Sequence, residues 1–395
     1  MALLLLILIY LAFISLGLPD SMMGACWPAM QPEFGVPYSF AGLLSIVIFA
    51  STMVSSLFSV RAVRRFGTGK VTVASVLMTA LALLGISFAP SYYVVVLLCV
   101  PLGLGGGCVD AGLNAFVAEH YQSRHMSWLH CFWGVGSMIG PVIMSRSITA
   151  GSWRGGFSTV SSLQFTLFFI LLFSLPLWKR VIAMSNGGAV SHNEVAAKSE
   201  DKGMVYVLRM KGVKAALFSF FFYCATEATM GLWGASYLTE FKGASAAQAA
   251  KWVSYFYFGI TFGRFITGFA TIKLRNTTLI RLGQGIILLG ALLMLLPVPV
   301  LLNAIGFVLV GLGCAPIFPC MLHETPTRFG KEDARVVMSF QQAVACVGST
   351  IMPPLFGFLA EQSTFLWFAP FLMVCTALMF LFTERINKIM KSKQN

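Results

Sequence analysis

Apolar residues along this chain come in continuous runs of roughly twenty, separated by short polar stretches. That is the length a helix needs to cross about 30 Å of hydrocarbon. Inside lipid every backbone N–H and C=O must be paired within its own segment, so each run is predicted to be a transmembrane helix. The runs do not alternate polar with apolar, which excludes a β-barrel. Twelve spans follow: 3–28, 40–60, 71–89, 92–117, 128–150, 157–178, 213–238, 251–272, 278–297, 299–322, 336–360 and 364–382. The first has no basic stretch before it and runs to about Pro28, too long for the apolar core of a signal peptide, so it reads as a span.

Composition agrees. Hydrophobic residues make up 57% of the chain and charged residues 10%, against about 25% charged in a soluble protein, and the mean hydropathy is +0.82. The net charge of +13 does not point to nucleic acid, because Lys and Arg crowd alternate loops. Arg61, Arg64, Arg65 and Lys70 follow the second span, and Arg124 follows the fourth. Lys179, Arg180, Lys198, Lys202, Arg209, Lys211 and Lys214 lie in or beside the long central segment, and Arg385, Lys388, Lys391 and Lys393 in the tail. Lys273, Arg275, Arg281, Arg328, Lys331 and Arg335 fall on the same side, whereas the other side holds only Arg146, Arg154, Lys242 and Lys251. Positive charge is retained in the cytoplasm, so both termini and the central segment are expected there, in a plasma membrane. The nine cysteines lie in apolar runs with no metal-type spacing and read as inert thiols.

A weak internal repeat divides the chain. Asp20-Ser-Met-Met-Gly24 matches Glu227-Ala-Thr-Met-Gly231, Gly103-Leu-Gly105 matches Gly311-Leu-Gly313, and Val135-Gly-Ser137 with Pro141 matches Val347-Gly-Ser349 with Pro353. Three matches in order at nearly one offset imply duplication. The expected organisation is a six-helix bundle over 1–178, a polar linker over 179–212 and a second bundle over 213–395, with a binding site between the halves.

Few ionisable groups fall inside the spans, among them Asp20, Asp110, His130, Glu227 and Arg264. Burying a charge at bilayer depth costs at least about 2.5–3.5 kcal/mol, so such groups are expected to face a bundle interior or a wet cavity. Asn114 lies one turn beyond Asp110 on the same helix face. Carboxyl and amide together offer donors and acceptors for a polyol and a group that can take up a proton. Asp20 follows Gly17-Leu-Pro19, where the helix is expected to loosen and expose backbone carbonyls. Glu227 and Arg264 have similar depth in neighbouring spans and could form a buried ion pair or a switch. The repeat sets His130 opposite Gln342. His130, Gln341 and Gln342 are candidate cavity residues, and Trp27, Trp133 and Trp233 could stack on sugar rings. For each of these the competing role is structural, as a helix tie or a packing side chain. His323 and Glu324 read as gate or loop residues. Gly103-Leu-Gly-Gly-Gly107 follows no strand and reads as close helix packing rather than a phosphate cradle. No enzyme motif stands out, and neither a cofactor nor a metal is implied.

The segment Gly103-Leu-Gly…Cys-Val-Asp110-Ala-Gly-Leu-Asn114-Ala-Phe-Val, with Leu129-His-Cys-Phe-Trp-Gly134-Val-Gly136 and Gly140-Pro141, resembles the fucose–proton symporter family of major facilitator transporters. Phe222-Tyr223, Glu227, Trp233 and Gly263-Arg264 fit the same resemblance, which covers nearly the whole chain. It implies proton-coupled sugar import, with Asp20 and Asp110 as proton and substrate groups. The departures are Asp110 where that family has Glu, Ala115 where it has Pro, and a loop after span two that keeps only Arg65 and Gly67 of the superfamily's usual motif.

The chain is therefore expected to be an all-α membrane protein of major facilitator fold with twelve helices. It would act as a monomer moving a sugar-like small molecule with a proton by alternating access. An exporter of other organic solutes is the alternative, suggested by Gly140-Pro141 and to be favoured by an aromatic- and Met-rich cavity. A sensor that binds without transporting is a third reading, weakened by the absence of a signalling domain.

Overall fold

A computed structural model describes residues 2–121, 123–185, 204–297 and 300–394. The first half contains α1 (Ala2–Phe34), α2 (Phe40–Phe66), α3 (Thr68–Ser87), α4 (Tyr92–His120), α5 (Ser123–Thr149), α6 (Arg154–Phe173) and α7 (Leu175–Ser185). The second contains α8 (Met204–Arg209), α9 (Val213–Glu240), α10 (Ala246–Ala270), α11 (Asn276–Leu295), α12 (Val300–Phe329), α13 (Lys331–Gln362) and α14 (Phe368–Gln394). The twelve longest of these helices coincide with the twelve predicted spans. Several run past them: α1 continues to Phe34, and α14 continues to Gln394. The sixth predicted span is split between α6 and α7 by a break at Ser174, just before Pro176, whose ring and missing N–H disfavour an unbroken helix. The expected linker begins as the end of α7 and ends as α8. Its polar core, 186–203, lies outside the described residues.

Ten helices among the described residues are long and apolar enough to cross a membrane. The two long helices that miss this mark, α5 and α10, pack against each other between the halves. Phe88, Leu97, Phe173, Phe269 and Ile272 are among the apolar side chains left on the surface, an apolar exterior that only a bilayer would tolerate.

Close contacts show that the repeat is structural. A Cβ at Gly103 would sit 2.4 Å from the Ile48 carbonyl of α2, and one at Gly311 2.0 Å from the Phe256 carbonyl of α10. Both the glycines and their partners are separated by 208 positions (311 − 103 and 256 − 48). Gly105 abuts the Ser75 carbonyl of α3 and Gly313 the Gly283 carbonyl of α11, again 208 apart on both sides. Gly136 rests on Ile14 of α1, and Gly348 on Phe221 of α9. Each half therefore uses the same backbone-to-backbone crossings, which only glycine permits. Gly311→Ala is expected to force α10 and α12 apart and destabilise the protein by about 1–3 kcal/mol. Gly285→Ala, where a Cβ meets nothing within 4 Å, should leave the thermal melt of the purified protein unchanged.

The halves meet through α1 with α9, α2 with α13, and α5 with α10. At the end opposite the linker this seam is shut. Gly24 packs on the Gly231 carbonyl, Gly42 packs on Pro354, the Tyr38 hydroxyl donates to Glu240 Oε1 (2.5 Å), and Ser145 Oγ donates to the Ala247 carbonyl (2.6 Å).

Candidate functional site

A cavity of about 2320 Å³ lies between the halves and opens toward the linker side, where Arg275, His323, Glu324, Arg328 and Lys391 line its mouth. Its inner wall carries Asp20, Asp110, Asn114, His130, Glu227, Arg264 and Gln342. Asp20, His130 and Gln342 are solvent-accessible although they sit deep in the bundle, because the cavity reaches them.

The charged groups form a line across the seam. Arg264 of α10 approaches Glu227 of α9 at 3.8 Å (Nη2 to Oε1), and its guanidinium lies over the Trp133 ring of α5, 5.4 Å from the centroid. The indole Nε1 of Trp133 donates to Asp20 Oδ2 of α1 at 2.8 Å. Trp133 thus couples a cation of one half to a carboxyl of the other, through a ring face that attracts positive charge and an N–H that binds negative charge. Asp20 and Glu227 are repeat equivalents, which explains their matching positions on α1 and α9. On α4, Asn114 Nδ2 donates to Asp110 Oδ1 at 2.9 Å, leaving Asn114 Oδ1 without a partner among the described residues. Asp110 and Asp20 line the same cavity. Three carboxyls therefore face one guanidinium. Glu227 is matched by Arg264, while Asp20 and Asp110 form no salt bridge among the described residues.

Three candidate ligand residues stand away from this wall. Trp27 is fully buried, donates to the Tyr38 carbonyl (3.1 Å) and packs edge-on against Tyr92. Trp233 is fully buried, donates to the Pro353 carbonyl (2.7 Å) and packs on Phe356 and Phe365. Gln341 is buried against Thr325 (2.9 Å) while its neighbour Gln342 takes the cavity face, since adjacent helical positions are about 100° apart. The expectation that these three line the cavity is corrected to helix-to-helix packing.

The helix at Asp20 is also unlike the expectation, because α1 runs unbroken through Pro19. Proline lacks the N–H that would bond Ser15, four residues earlier. The released Ser15 carbonyl is taken by Gln164 Nε2 of α6 at 2.6 Å, so it is not available to a ligand. Gln164 was not singled out from the sequence, and the need of a freed intramembrane carbonyl for a donor is the signal that would have found it. Tyr257 was also missed. It lines the cavity about two turns before Arg264, and that spacing on one helix face was its signal. His323 and Glu324 do sit at the mouth, where Asn276 contacts both (3.0 and 3.1 Å) and Arg328 pairs with Glu324 (3.3 Å).

The sequence profile of the Major Facilitator Superfamily matches residues 9–322 and, separately, 215–394. Bypass of stop codon protein 6 of Saccharomyces cerevisiae is 24% identical over 66% of this chain and 55% of its own length. The glucose/mannose transporter GlcP of Bacillus subtilis is 22% identical over 90% of this chain and 88% of its own. Among solved structures, a bacterial homologue of the human lysosomal transporter Spinster, crystallised inward-facing and occupied, superposes with a TM-score of 0.72 at 11% identity, covering 96% of both chains.

Proposed function

Because this chain belongs to the Major Facilitator Superfamily and is a multi-pass membrane transporter of a small molecule, not an enzyme, we propose that it imports a sugar or related polyol together with a proton. The observation that carries this reading is the pair Asp20 and Asp110, two carboxyls with no salt bridge among the described residues, with the Asn114 amide beside Asp110, on the wall of a cavity that opens to one side only. Hydroxyl-rich ligands need such a mixture of donors and acceptors. A carboxyl with no salt bridge in a secluded site is a natural seat for a mobile counter-charge, and the proton is the smallest. The likeness to the fucose–proton symporters and to GlcP supports the sugar class.

The mouth lies on the side of the basic loops and the linker, which supports reading that side as the cytoplasmic one. In this conformation the outer seam is closed, and the site would exchange with the interior. Rocking of the halves about α1–α9 and α5–α10 would open the other side. Asp20 and Asp110 hold the proton, Asn114 with His130 and Gln342 bind the ligand, and Arg264 with Glu227 adjusts to movement between the halves. The test is uptake into proteoliposomes across a panel of labelled sugars, with and without an imposed pH gradient. At least one sugar should accumulate only with the gradient. Uniform failure across hexoses, pentoses and polyols, by protein that is folded and correctly inserted, would remove the sugar assignment.

Asn114→Ala deletes an amide of the cavity lining and leaves both carboxyls in place. Its apparent KM for the transported sugar is expected to rise about tenfold, the worth of one hydrogen bond of roughly 1.5 kcal/mol, while the accumulation ratio at saturating sugar stays that of the parent. Initial-rate and steady-state uptake measured on the same vesicles separate the two.

A further inference from the structure

Away from the central cavity, a second groove of about 600 Å³ runs along the outside of the bundle where α5, α10 and α12 meet. Met138 and Val142 of α5, Tyr255 and Phe258 of α10, and Ile305 and Val308 of α12 line it. Its floor is apolar and faces lipid. Phe258 and Ile305 are exposed on the protein surface.

The same helix faces carry positive charge at the groove's outer end. On α5, Met138, Val142 and Arg146 recur at four-residue steps and share a face. On α10, which runs the other way, Lys251 precedes Tyr255 by four and Phe258 by seven. The Ser145–Ala247 hydrogen bond sets the register of the two helices. It brings Lys251 level with the top of the groove and Arg146 about one turn above it, roughly 6 Å at 1.5 Å per residue. From Met138 to Arg146 the wall is about 12 Å long by the same rise.

Four basic residues were expected on this side of the membrane, and two of them have partners: Arg154 pairs with Glu33 (2.5 Å) and Lys242 donates to the Leu296 carbonyl (2.9 Å). The side chains of Arg146 and Lys251 are exposed and have no ion-pair or hydrogen-bond partner among the described residues. The Tyr255 hydroxyl, on the groove wall, likewise has no partner among the described residues. Cations thus stand at one end of an apolar groove, as a phospholipid's phosphate stands at one end of its acyl chain.

We propose that this groove is a binding site for one anionic phospholipid, with an acyl chain against Met138, Val142, Phe258 and Ile305 and the phosphate held between Arg146 and Lys251. Two cations without protein partners favour a headgroup with net negative charge over a zwitterionic one, whose own cation would oppose them.

The probe is phosphatidylglycerol against phosphatidylcholine of identical acyl chains, added to the delipidated full chain and counted as adducts by native mass spectrometry. One phosphatidylglycerol should be retained with a preference of roughly tenfold. Arg146→Gln with Lys251→Gln should abolish the preference, and Ile305→Trp, which fills the floor, should remove the adduct of either lipid. Lys242→Gln subtracts a charge from the same side but away from the groove, and should retain the adduct. Equal binding of the two lipids by the parent protein, or a loss in Lys242→Gln as large as in the double variant, would overturn the proposal. All variants are compared at matched monodispersity, so that misfolding is not read as lost binding.

Discussion

Asp110→Asn is expected to abolish uphill accumulation of the transported sugar while preserving exchange between two loaded sides. Asparagine copies the shape of a protonated Asp110 and can still accept from Asn114 Nδ2, which holds Asp110 at 2.9 Å in the parent. It cannot release a proton. The loaded carrier should therefore still change faces, and radiolabelled sugar should still enter vesicles preloaded with unlabelled sugar. The empty carrier would return without having passed a proton, so a pH gradient would do no work. One pH unit supports roughly tenfold accumulation in a one-to-one symport, about 1.4 kcal/mol. The variant should settle at a ratio of about one by the same measure. Retained accumulation under a pH gradient would remove Asp110 from the coupling role and transfer it to Asp20.

Arg264→Gln should have the second large effect, on stability and transport together. It leaves Glu227 without its cation and Trp133 without the charge over its ring. Breaking a buried pair costs about 3–5 kcal/mol because one charge remains unmatched, and the partial exposure of both side chains to the cavity, 15% and 21%, points to the lower end. Glu227→Gln should be damaging for the converse reason. The double variant should recover most of the melting temperature, since neither charge is then left alone, yet remain poor in transport because the link from Glu227 through Arg264 and Trp133 to Asp20 is gone. A double variant melting no higher than either single variant would show that the two charges are not energetically paired.

Much of this arrangement was legible in the chain. Run length located the spans, because lipid leaves the backbone no alternative to helix. Charge scarcity located the site: five in-span ionisable residues were named, and all five line the cavity. The repeat was legible at three glycine-bearing motifs, and for two of them the reason is physical, since Gly103 and Gly311, Gly105 and Gly313, and Gly136 and Gly348 hold equivalent helix crossings in the two halves. Side-chain direction was harder to read. Tryptophan has an apolar body and a single N–H donor, so Trp27, Trp133 and Trp233 look alike in sequence. Only Trp133 reaches the cavity, because its indole N–H finds Asp20, whereas the other two find backbone carbonyls between packed helices. Gln341 and Gln342 were inseparable for want of an exact helix rotation. Helix ends were the least legible, since α1, α13 and α14 continue as polar helix past the apolar stretch that defined them.

The most direct test of proton-coupled sugar import is the movement of protons driven by sugar alone. Proteoliposomes holding a pH-sensitive dye, with no gradient imposed, receive a downhill pulse of unlabelled sugar. The account predicts acidification of the lumen that follows sugar entry, disappears with a protonophore and is absent in Asp110→Asn. Sugar entry without any change in luminal pH, or proton movement evoked by apolar organic solutes and by no sugar, would contradict it.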